Sequence, residues 1–271
     1  MSFDAPVRIA AIQTVSGPDV TENLAIAGDL VAEAAQAGAQ LVALPEYFPL
    51  ISSDEADKVR LRERDGSGPI QQFLQAAARR HGIWLIGGTS PLVADAGDKV
   101  RNATLVFNPA GERVARYDKI HLFGFDNGAE RYDEAETIEP GEAVVTFDAP
   151  CGRVGLSVCY DLRFPEMFRA MGAVDLIVLP AAFTYTTGQA HWEVLLRARA
   201  IENQCYVMAP AQGGRHPSGR RTYGDTLIID PWGEVLARRA EGPGVVVADM
   251  VPARIRDVRT RLPALSHRRL S

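Results

Sequence analysis

The sequence contains few of the residues that would indicate a disulfide framework or a histidine metal site. Only three of its 271 residues are cysteine, and Cys151, Cys159 and Cys205 stand at no metal-ligand spacing and cannot all pair with one another. This usage is typical of free thiols in a reducing compartment. The five histidines form no HxxxH or HExxH pattern. Histidine spacing therefore predicts no metal site.

Long apolar runs and strong charge are also missing. No stretch approaches eighteen consecutive apolar residues, and the beginning, MSFDAPVRIAAIQ, lacks the regions of a secretory signal. We therefore expect a cytoplasmic protein that binds no membrane. A formal net charge of -5 offers no general attraction to nucleic acid. The arginines between 254 and 269 are interrupted by Asp257 and lack aromatic neighbours, so we expect no nucleic-acid partner.

Short β-branched runs alternate with helical patterns along the chain. VRIAAIQ predicts a buried strand over 7–13, and an amphipathic stretch from Asp19 to Ala37 predicts a helix that ends at Gly38. Further predicted elements are strands at 40–46 and 83–88, helices at 69–81, 165–171 and 190–204, and a hairpin within 101–119. Loops are expected at 47–68, 89–99, 120–142 and 212–223. Strands outnumber helices, and the length fits one domain over 1–271.

Three polar residues each follow a predicted strand. Glu46 follows LVALP, Lys119 follows RYD, and Cys159 ends GRVGLSVC. Each has an ordinary alternative: a cap or turn anchor for the acid, a surface role for the lysine, and inert burial for the cysteine. A helix starting near Pro165 would lower the pKa of the thiol and burial would raise it. Together the three residues could supply the base, oxyanion stabiliser and nucleophile of amide hydrolysis.

Four segments resemble the motifs of one known family. LPEYF, YDKIHLF, VCYDLRFPEMFR and GQAHWEVLLRARAIENQCYV resemble, in order, motifs of the nitrilase superfamily of carbon–nitrogen hydrolases, and they span essentially the whole chain. The resemblance implies the α/β class with a four-layer α-β-β-α sandwich, in which two mixed sheets lie face to face with helices outside. It also implies a homodimer or a higher homo-oligomer, with a C-terminal helix and arm over 252–271 packing across a dimer interface.

The resemblance further implies a Glu-Lys-Cys triad at Glu46, Lys119 and Cys159. Glu46 would take the proton of the thiol, and Lys119 with the backbone N–H of Tyr160 would hold the oxyanion. Water would then hydrolyse the thioester, without a metal or organic cofactor. A second glutamate near the substrate is also implied. Glu134 fits its position, six residues ahead of Pro140, and Glu130 is the rival.

Other segments resemble one branch of the superfamily. CYDLRFPE, PAQGGRH, DPWGEVLA and RLPALSHRR resemble the branch that hydrolyses deaminated glutathione, followed closely by the omega-amidases of 2-oxoglutaramate. Both substrates carry a carboxylate beside a ketone, which a guanidinium and hydroxyl donors would recognise. The candidates are Arg163, Arg215, Tyr185, Thr186 and Thr187. Arg163 has an alternative role in an ion pair with Glu166 or Asp161. One departure is Asp225, where the relatives usually carry histidine.

Other functions stay open at this point. Cys159 could act with His121 or His191 in a Cys-His hydrolase, and a carbamoyl amino acid or a nitrile could be the substrate. A catalytically silent binding module of the same fold is the alternative outside enzymes.

Overall fold

The computed structural model describes residues 5–128 and 131–269. The strands are β1 (Val7–Gln13), β2 (Leu41–Ala43), β3 (Trp84–Ile86), β4 (Ser90–Val93), β5 (Val100–Phe107), β6 (Arg113–Asp118), β7 (Gly124–Asp126), β8 (Arg131–Asp133), β9 (Thr146–Ala149), β10 (Gly152–Leu156), β11 (Leu176–Val178), β12 (Tyr206–Ala209), β13 (Gly213–Arg215), β14 (Arg221–Tyr223), β15 (Thr226–Ile229), β16 (Val235–Arg239) and β17 (Gly244–Met250). The helices are α1 (Val20–Gln36), α2 (Asp57–Leu61), α3 (Pro69–His81), α4 (Pro165–Ala170), α5 (Tyr185–Asn203) and α6 (Pro252–Arg261), with 3-10 helices at Glu134–Glu136, Cys159–Arg163 and Ala264–His267.

Two mixed sheets form the centre of the molecule. The first has the order β17-β1-β2-β3-β5-β4, with β6 also paired to β5, and the second has the order β16-β15-β12-β11-β10-β9. The strands β1, β2 and β3 are parallel in the first sheet, as are β10, β11 and β12 in the second. The remaining pairs in both sheets are antiparallel. Small hairpins β7-β8 and β13-β14 lie outside them.

The alternation of side chains along β1 explains the layers. Ile9 and Ala11 point into a core that includes residues of the second sheet, such as Leu176. Ala10 and Ile12 point the other way, into the core under α1 and α3. The second sheet in turn packs against α5. The predicted α-β-β-α sandwich is therefore confirmed.

Several predicted elements have the expected bounds. The strand at 7–13 and the helix at 69–81 are confirmed, and Gly82 ends that helix with a φ of 62°. Helix α5 begins at Tyr185, five residues before the predicted start, because Thr184 caps it by accepting from the N–H of Thr187. The prediction missed this start because the polar YTTGQ segment lacks apolar periodicity.

The four expected loops contain short elements that the sequence pattern did not reveal. Helix α2 lies in the first, β4 in the second, the β7-β8 hairpin in the third and the β13-β14 hairpin in the fourth. Most of these are strands of three or four residues, too short for a clear alternation, and β4 pairs with the later strand β5.

The end of the chain folds back onto the second half of the protein. Helix α6 begins at Pro252, and Arg259 donates to the backbone oxygen of Val174 over 2.5 Å and to Asp175 over 3.3 Å. Within residues 5–128 and 131–269, no helix is long and apolar enough to cross a bilayer.

Candidate active site

The three residues that follow predicted strands come together in the structure. Glu46, Lys119 and Cys159 each lie one to three residues beyond the end of β2, β6 or β10. Glu46 and Cys159 line one cavity, and Lys119 Nζ lies 2.9 Å from Glu46 Oε1. The two sheets thus contribute a carboxylate, an ammonium and a thiol to one location.

Glu46 is almost completely buried and is held by both of its oxygens. Oε1 accepts from Lys119 Nζ and from Asn102 Nδ2 at 3.0 Å, and Oε2 accepts from the backbone N–H of Ala182 at 2.9 Å. These three donors fix the carboxylate in one orientation. Its position beside the thiol is suited to a general base.

Lys119 connects two carboxylates. Its ammonium donates to Glu134 at 3.0 Å and 2.7 Å as well as to Glu46. Burial lowers the pKa of Lys119, but the charges of Glu134 and Glu46 outweigh this, and the net pKa is raised. The lysine is therefore charged at neutral pH.

Glu134 completes the charged group. It accepts from the hydroxyl of Tyr47 and the backbone N–H of Phe123, both at 2.7 Å. Burial raises the pKa of Glu134, whereas the ammonium of Lys119 lowers it, and the net pKa lies below its ordinary value. The rival Glu130 lies outside the described residues.

Cys159 lies at a strained turn. It begins a 3-10 helix with a φ of 49°, in the left-handed region that residues other than glycine rarely adopt. Its backbone N–H donates to Pro180 at 2.9 Å. Burial raises the pKa of the thiol, and Glu46 raises it further, although Lys119 acts in the opposite direction. The resting thiol is thus protonated, so its reactivity depends on a base.

The cavity beside Cys159 is narrow. Its lining comprises Glu46, Phe123, Glu134, Cys159, Tyr160, Arg163, Ala182, Phe183, Thr184, Thr187 and Arg220, and it measures about 10 Å³, room for about one water molecule. It adjoins a larger opening of about 430 Å³, which we call the vestibule. The vestibule is lined by Tyr47, Ser52, Ser53, Glu55, Phe123, Arg131, Tyr132, Asp133, Glu134, Glu136, Ser218 and Arg220.

Two of the predicted binding residues line the narrow cavity. Thr187 is buried, and its hydroxyl lies 2.7 Å from that of Thr184. Arg163 lies over the rings of Tyr160 and Phe183, at 5.7 Å and 5.4 Å from their centroids. Its Nη1 lies 3.2 Å from Nδ1 of His191.

The structure does not contain the ion pair that was the alternative role of Arg163. Among the residues that the structure describes, Arg163 forms no ion pair with Asp161 or Glu166. Asp161 instead accepts from the hydroxyl of Tyr117 at 2.6 Å. The guanidinium therefore stays available at the cavity.

Three other predicted binding residues do not line this cavity. Arg215 ends strand β13 with an exposed side chain, so the expectation that it binds substrate does not fit its position. Tyr185 accepts from Gln189 and lies against the guanidinium of Arg221, 3.5 Å from the ring centroid. Thr186 is exposed on α5.

Arg220 lines the narrow cavity, and Arg215 does not. It lies in the turn between β13 and β14, and this hairpin directs Arg220 to the cavity while Arg215 faces solvent. The arginines in GGRHPSGRR are equivalent in residue type. Because only the strand pairing distinguishes them, a local pattern could not identify which arginine reaches the cavity.

The histidines considered as partners of the thiol have other contacts. His121 stacks on Phe164 with a centroid distance of 3.7 Å, and its Nδ1 lies 2.7 Å from Asp161. His191 contacts Arg163. Neither is among the residues that line the cavity of Cys159, so the geometry favours Glu46 over a histidine as the base.

Asp225 forms hydrogen bonds within the protein, away from the cavity of Cys159. Its side chain is buried and accepts two hydrogen bonds from Arg238, at 2.6 Å and 2.8 Å, and its backbone oxygen accepts from the indole of Trp192. It does not belong to the lining of the narrow cavity or of the vestibule. The departure at this position therefore does not place a new group against the substrate.

The carboxylates beside the thiol are held by the ammonium of Lys119. In the described ranges, no group of three or more His, Cys, Asp or Glu side chains is arranged to hold a metal ion. The two carboxylates nearest to the thiol already share the ammonium of Lys119.

The chain is similar to known proteins in sequence and in fold. A deaminated glutathione amidase from Synechocystis is 42% identical over 270 residues, covering 97% of this chain and 98% of its own. The structure of Nit3 from Saccharomyces cerevisiae, a member of branch 10 of the nitrilase superfamily, has a TM-score of 0.87 at 31% identity, with coverages of 100% and 99%.

A further solved structure shows a reacted cysteine. It is a mutant of the amidase from Nesterenkonia sp. AN1, in which the acetamide moiety of fluoroacetamide is bound covalently to the active-site cysteine. Its TM-score is 0.76 at 27% identity, and it covers 97% of this chain and 94% of its own. Residues 8–260 of the chain match the carbon-nitrogen hydrolase family. The chain therefore belongs to the carbon–nitrogen hydrolases of the nitrilase superfamily.

Proposed function

We propose that this protein is an amidase that hydrolyses deaminated glutathione through a thioester on Cys159. The observation that carries the proposal is the buried arrangement of Glu46, Lys119 and Glu134 beside a thiol on a strained turn. This arrangement supplies a base, a cation and a nucleophile without a cofactor. The Synechocystis relative named for this activity matches the chain over almost its full length.

The catalytic cycle follows from the positions of these groups. Glu46 accepts the proton of Cys159, and the sulfur attacks the amide carbon. The C–N bond breaks as the amine takes a proton from Glu46, and a thioester remains. Water, deprotonated by Glu46, then hydrolyses the thioester and releases the acid and the thiol. Glu134 keeps Lys119 in place through two hydrogen bonds.

The oxyanion needs hydrogen-bond donors, and the donors on Lys119 already bind carboxylates in the resting site. All three protons of Lys119 point to carboxylate oxygens, two of them on Glu134. One of these two can turn to the oxyanion while the ion pair is kept. The backbone N–H of Tyr160 is the second proposed donor, because it follows Cys159 directly in the 3-10 helix.

Recognition of the acyl half is assigned to Arg163, with Thr184 and Thr187 as hydroxyl donors. The guanidinium can pair with the carboxylate of the oxo-acid, and the hydroxyls can donate to its ketone. Since the cavity holds only about 10 Å³, the half-buried side chains of Arg163 and Tyr160 must move when substrate enters. Arg215, Tyr185 and Thr186 do not belong to this group, because none of them lines the cavity.

We further propose a homodimer in the cytoplasm. Val194 and Ile201 on α5 have exposed fractions of 62% and 47%. Trp232, which is 56% exposed, precedes Gly233, whose backbone oxygen accepts from Arg197 of the same helix. Water contact with this apolar surface is unfavourable, and a second copy would cover it. The three cysteines are free thiols, as in a reducing compartment.

A comparison of four substrates tests the function. We expect kcat/KM to be highest for deaminated glutathione, followed by 2-oxoglutaramate, and much lower for a carbamoyl amino acid and a simple nitrile. The site's charged groups lose their partners with the wrong ligand, which makes such discrimination large. The Cys159→Ala variant is the control for background hydrolysis. A preference for the carbamoyl compound or the nitrile would exclude the proposed substrate, and no turnover of any substrate would favour the binding module.

A further inference from the structure

The vestibule is much larger than a small leaving group requires. Its volume of about 430 Å³ lies within the range of about 300–1,000 Å³ for small-molecule sites. Ammonia is about as large as a water molecule, which needs about 10–15 Å³ on the same measure. The vestibule shares Phe123, Glu134 and Arg220 with the narrow cavity. A substituent on the amide nitrogen could therefore extend into it from the thiol.

Arg220 lies at the boundary between the two spaces. Its Nη2 donates to the backbone oxygen of Ala182 over 3.3 Å, and its guanidinium lies 5.4 Å from the centroid of the Tyr132 ring. Within the part of the chain that the structure describes, Arg220 forms no ion pair with a carboxylate. Its Nε is buried without a hydrogen-bond partner, and so is the hydroxyl of Ser218. Such buried groups are costly unless water or a ligand satisfies them, and a ligand carboxylate in the vestibule could do so.

The acidic residues around the vestibule have partners of their own. Glu134 pairs with Lys119, Glu136 with Arg131, Glu55 with Lys58, and Asp133 accepts from the backbone N–H of Ala135. Arg131, Asp133 and Glu136 are also exposed, so water screens their charges. Arg220 is therefore the guanidinium at the inner end of the vestibule that can donate hydrogen bonds to a carboxylate of a ligand.

We propose that the vestibule binds the amine half of the substrate, and that Arg220 and Ser218 bind a carboxylate on that half. This inference rests on the proposed function. Deaminated glutathione has one carboxylate on its oxo-acyl half and another at the end of its cysteinylglycine half. Arg163 lines only the narrow cavity, whereas Arg220 also reaches the vestibule. The two guanidiniums thus match a substrate with a carboxylate on each side of the cleaved amide.

Three substrates separate this role from general binding. They are deaminated glutathione, its analogue with a C-terminal carboxamide, and 2-oxoglutaramate, which releases only ammonia. The Arg220→Gln variant should lose about 10- to 100-fold in kcat/KM for deaminated glutathione, and about threefold or less for the other two. Ser218→Ala should show a smaller loss with the same selectivity. Arg163→Gln should instead lose activity on all three.

The control is Arg256→Gln, which removes an exposed arginine on α6 and should leave all three rates unchanged. Equal losses of Arg220→Gln on all three substrates would overturn the proposal. If the parent protein hydrolyses none of them, the proposed function fails. The vestibule is then tested separately, by measuring the binding of cysteinylglycine with calorimetry. Weaker binding to Arg220→Gln than to Arg256→Gln would then support the subsite, and equal binding would overturn it.

Discussion

Lys119 and Glu46 form a buried ion pair, with Nζ and Oε1 2.9 Å apart and side-chain exposures of 0% and 1%. Such a pair is costly to remove from water unless other hydrogen bonds compensate. Here Asn102, Ala182 and Glu134 supply them. The site therefore keeps opposite charges next to a neutral thiol until substrate arrives.

Replacing Glu46 by glutamine should remove activity while the protein stays folded. Glutamine has nearly the same shape but cannot accept the proton of Cys159, so kcat should fall by about 10²- to 10⁴-fold. The control is His121→Ala, which removes a ring that stacks on Phe164 outside the cavity and should leave much of the activity. Steady-state kinetics on folded protein checks both. A large loss in His121→Ala with activity kept in Glu46→Gln would favour the Cys-His mechanism.

Replacing Lys119 by methionine should change the pH dependence of stability. Without the ammonium, Glu46 and Glu134 face each other in a buried site, and the free energy of unfolding should fall by about 3–5 kcal/mol at neutral pH. In the parent protein the pKa of Glu134 is lowered, so its contribution to stability is lost as the pH falls through that pKa. In the variant its pKa should be raised, so stability should increase towards acidic pH. Melting temperatures from pH 4 to 8 test this, and parallel profiles would contradict it.

The sequence alone could predict the proposed catalytic residues but could not distinguish Arg220 from Arg215. Glu46 and Cys159 follow strands with clear apolar patterns, and Lys119 follows a strand of the predicted hairpin. Motifs flank all three residues, so their convergence could be predicted. Arg220 could not be distinguished from Arg215, because its direction depends on the pairing of β13 with β14. The donors to Glu46 were also missed, since Asn102 and Ala182 reach it through tertiary packing over 56 and 136 residues of chain.

The direction of the pKa shift at the thiol was open for a similar reason. It depends on burial and on Glu46, a partner from the other sheet. Neither quantity can be read from the residues around Cys159. The helix that follows, α4, has only six residues, and its dipole does not outweigh these effects.

Cys159 should still react with iodoacetamide faster than the other two cysteines. It lines the cavity that adjoins the vestibule, whereas Cys151 and Cys205 are fully buried and burial raises the pKa of each to about 12. Because the pKa of Cys159 is also raised, its labelling rate should climb with pH above neutrality instead of levelling off. Mass-spectrometric mapping at several pH values measures this. Equal labelling of all three thiols would argue against an accessible nucleophile.

The Asp225→Asn variant should affect stability and not catalysis. Asparagine tolerates the φ of 60° at this position but weakens the paired hydrogen bonds from Arg238. Because Arg238 is partly exposed, the loss should be about 1 kcal/mol, and the melting temperature should fall by about 2–4 °C. The kcat/KM for deaminated glutathione should stay within about twofold. A larger catalytic loss would show that this position shapes the pocket.

The surface around Val194 should hold the homodimer together. Val194 and Ile201 lie on the exposed side of α5, and Arg197 joins that helix to the turn carrying Trp232 by donating to the backbone oxygen of Gly233 over 2.8 Å. The apolar patch therefore lies on a rigid surface, so few groups lose conformational entropy when two copies associate. Its exposure in a monomer would be unfavourable.

A charge in this patch should separate the subunits without unfolding them. Val194→Glu removes apolar contact and places two like charges near each other if α5 meets its symmetry mate. Light scattering at micromolar concentration should then give a mass near the monomer value of 29.4 kDa, and twice that mass for the parent. Val114→Glu is the matched control, because Val114 is exposed to 42% on β6, away from α5. A monomeric parent, or an unchanged mass in Val194→Glu, would contradict a dimer through this surface.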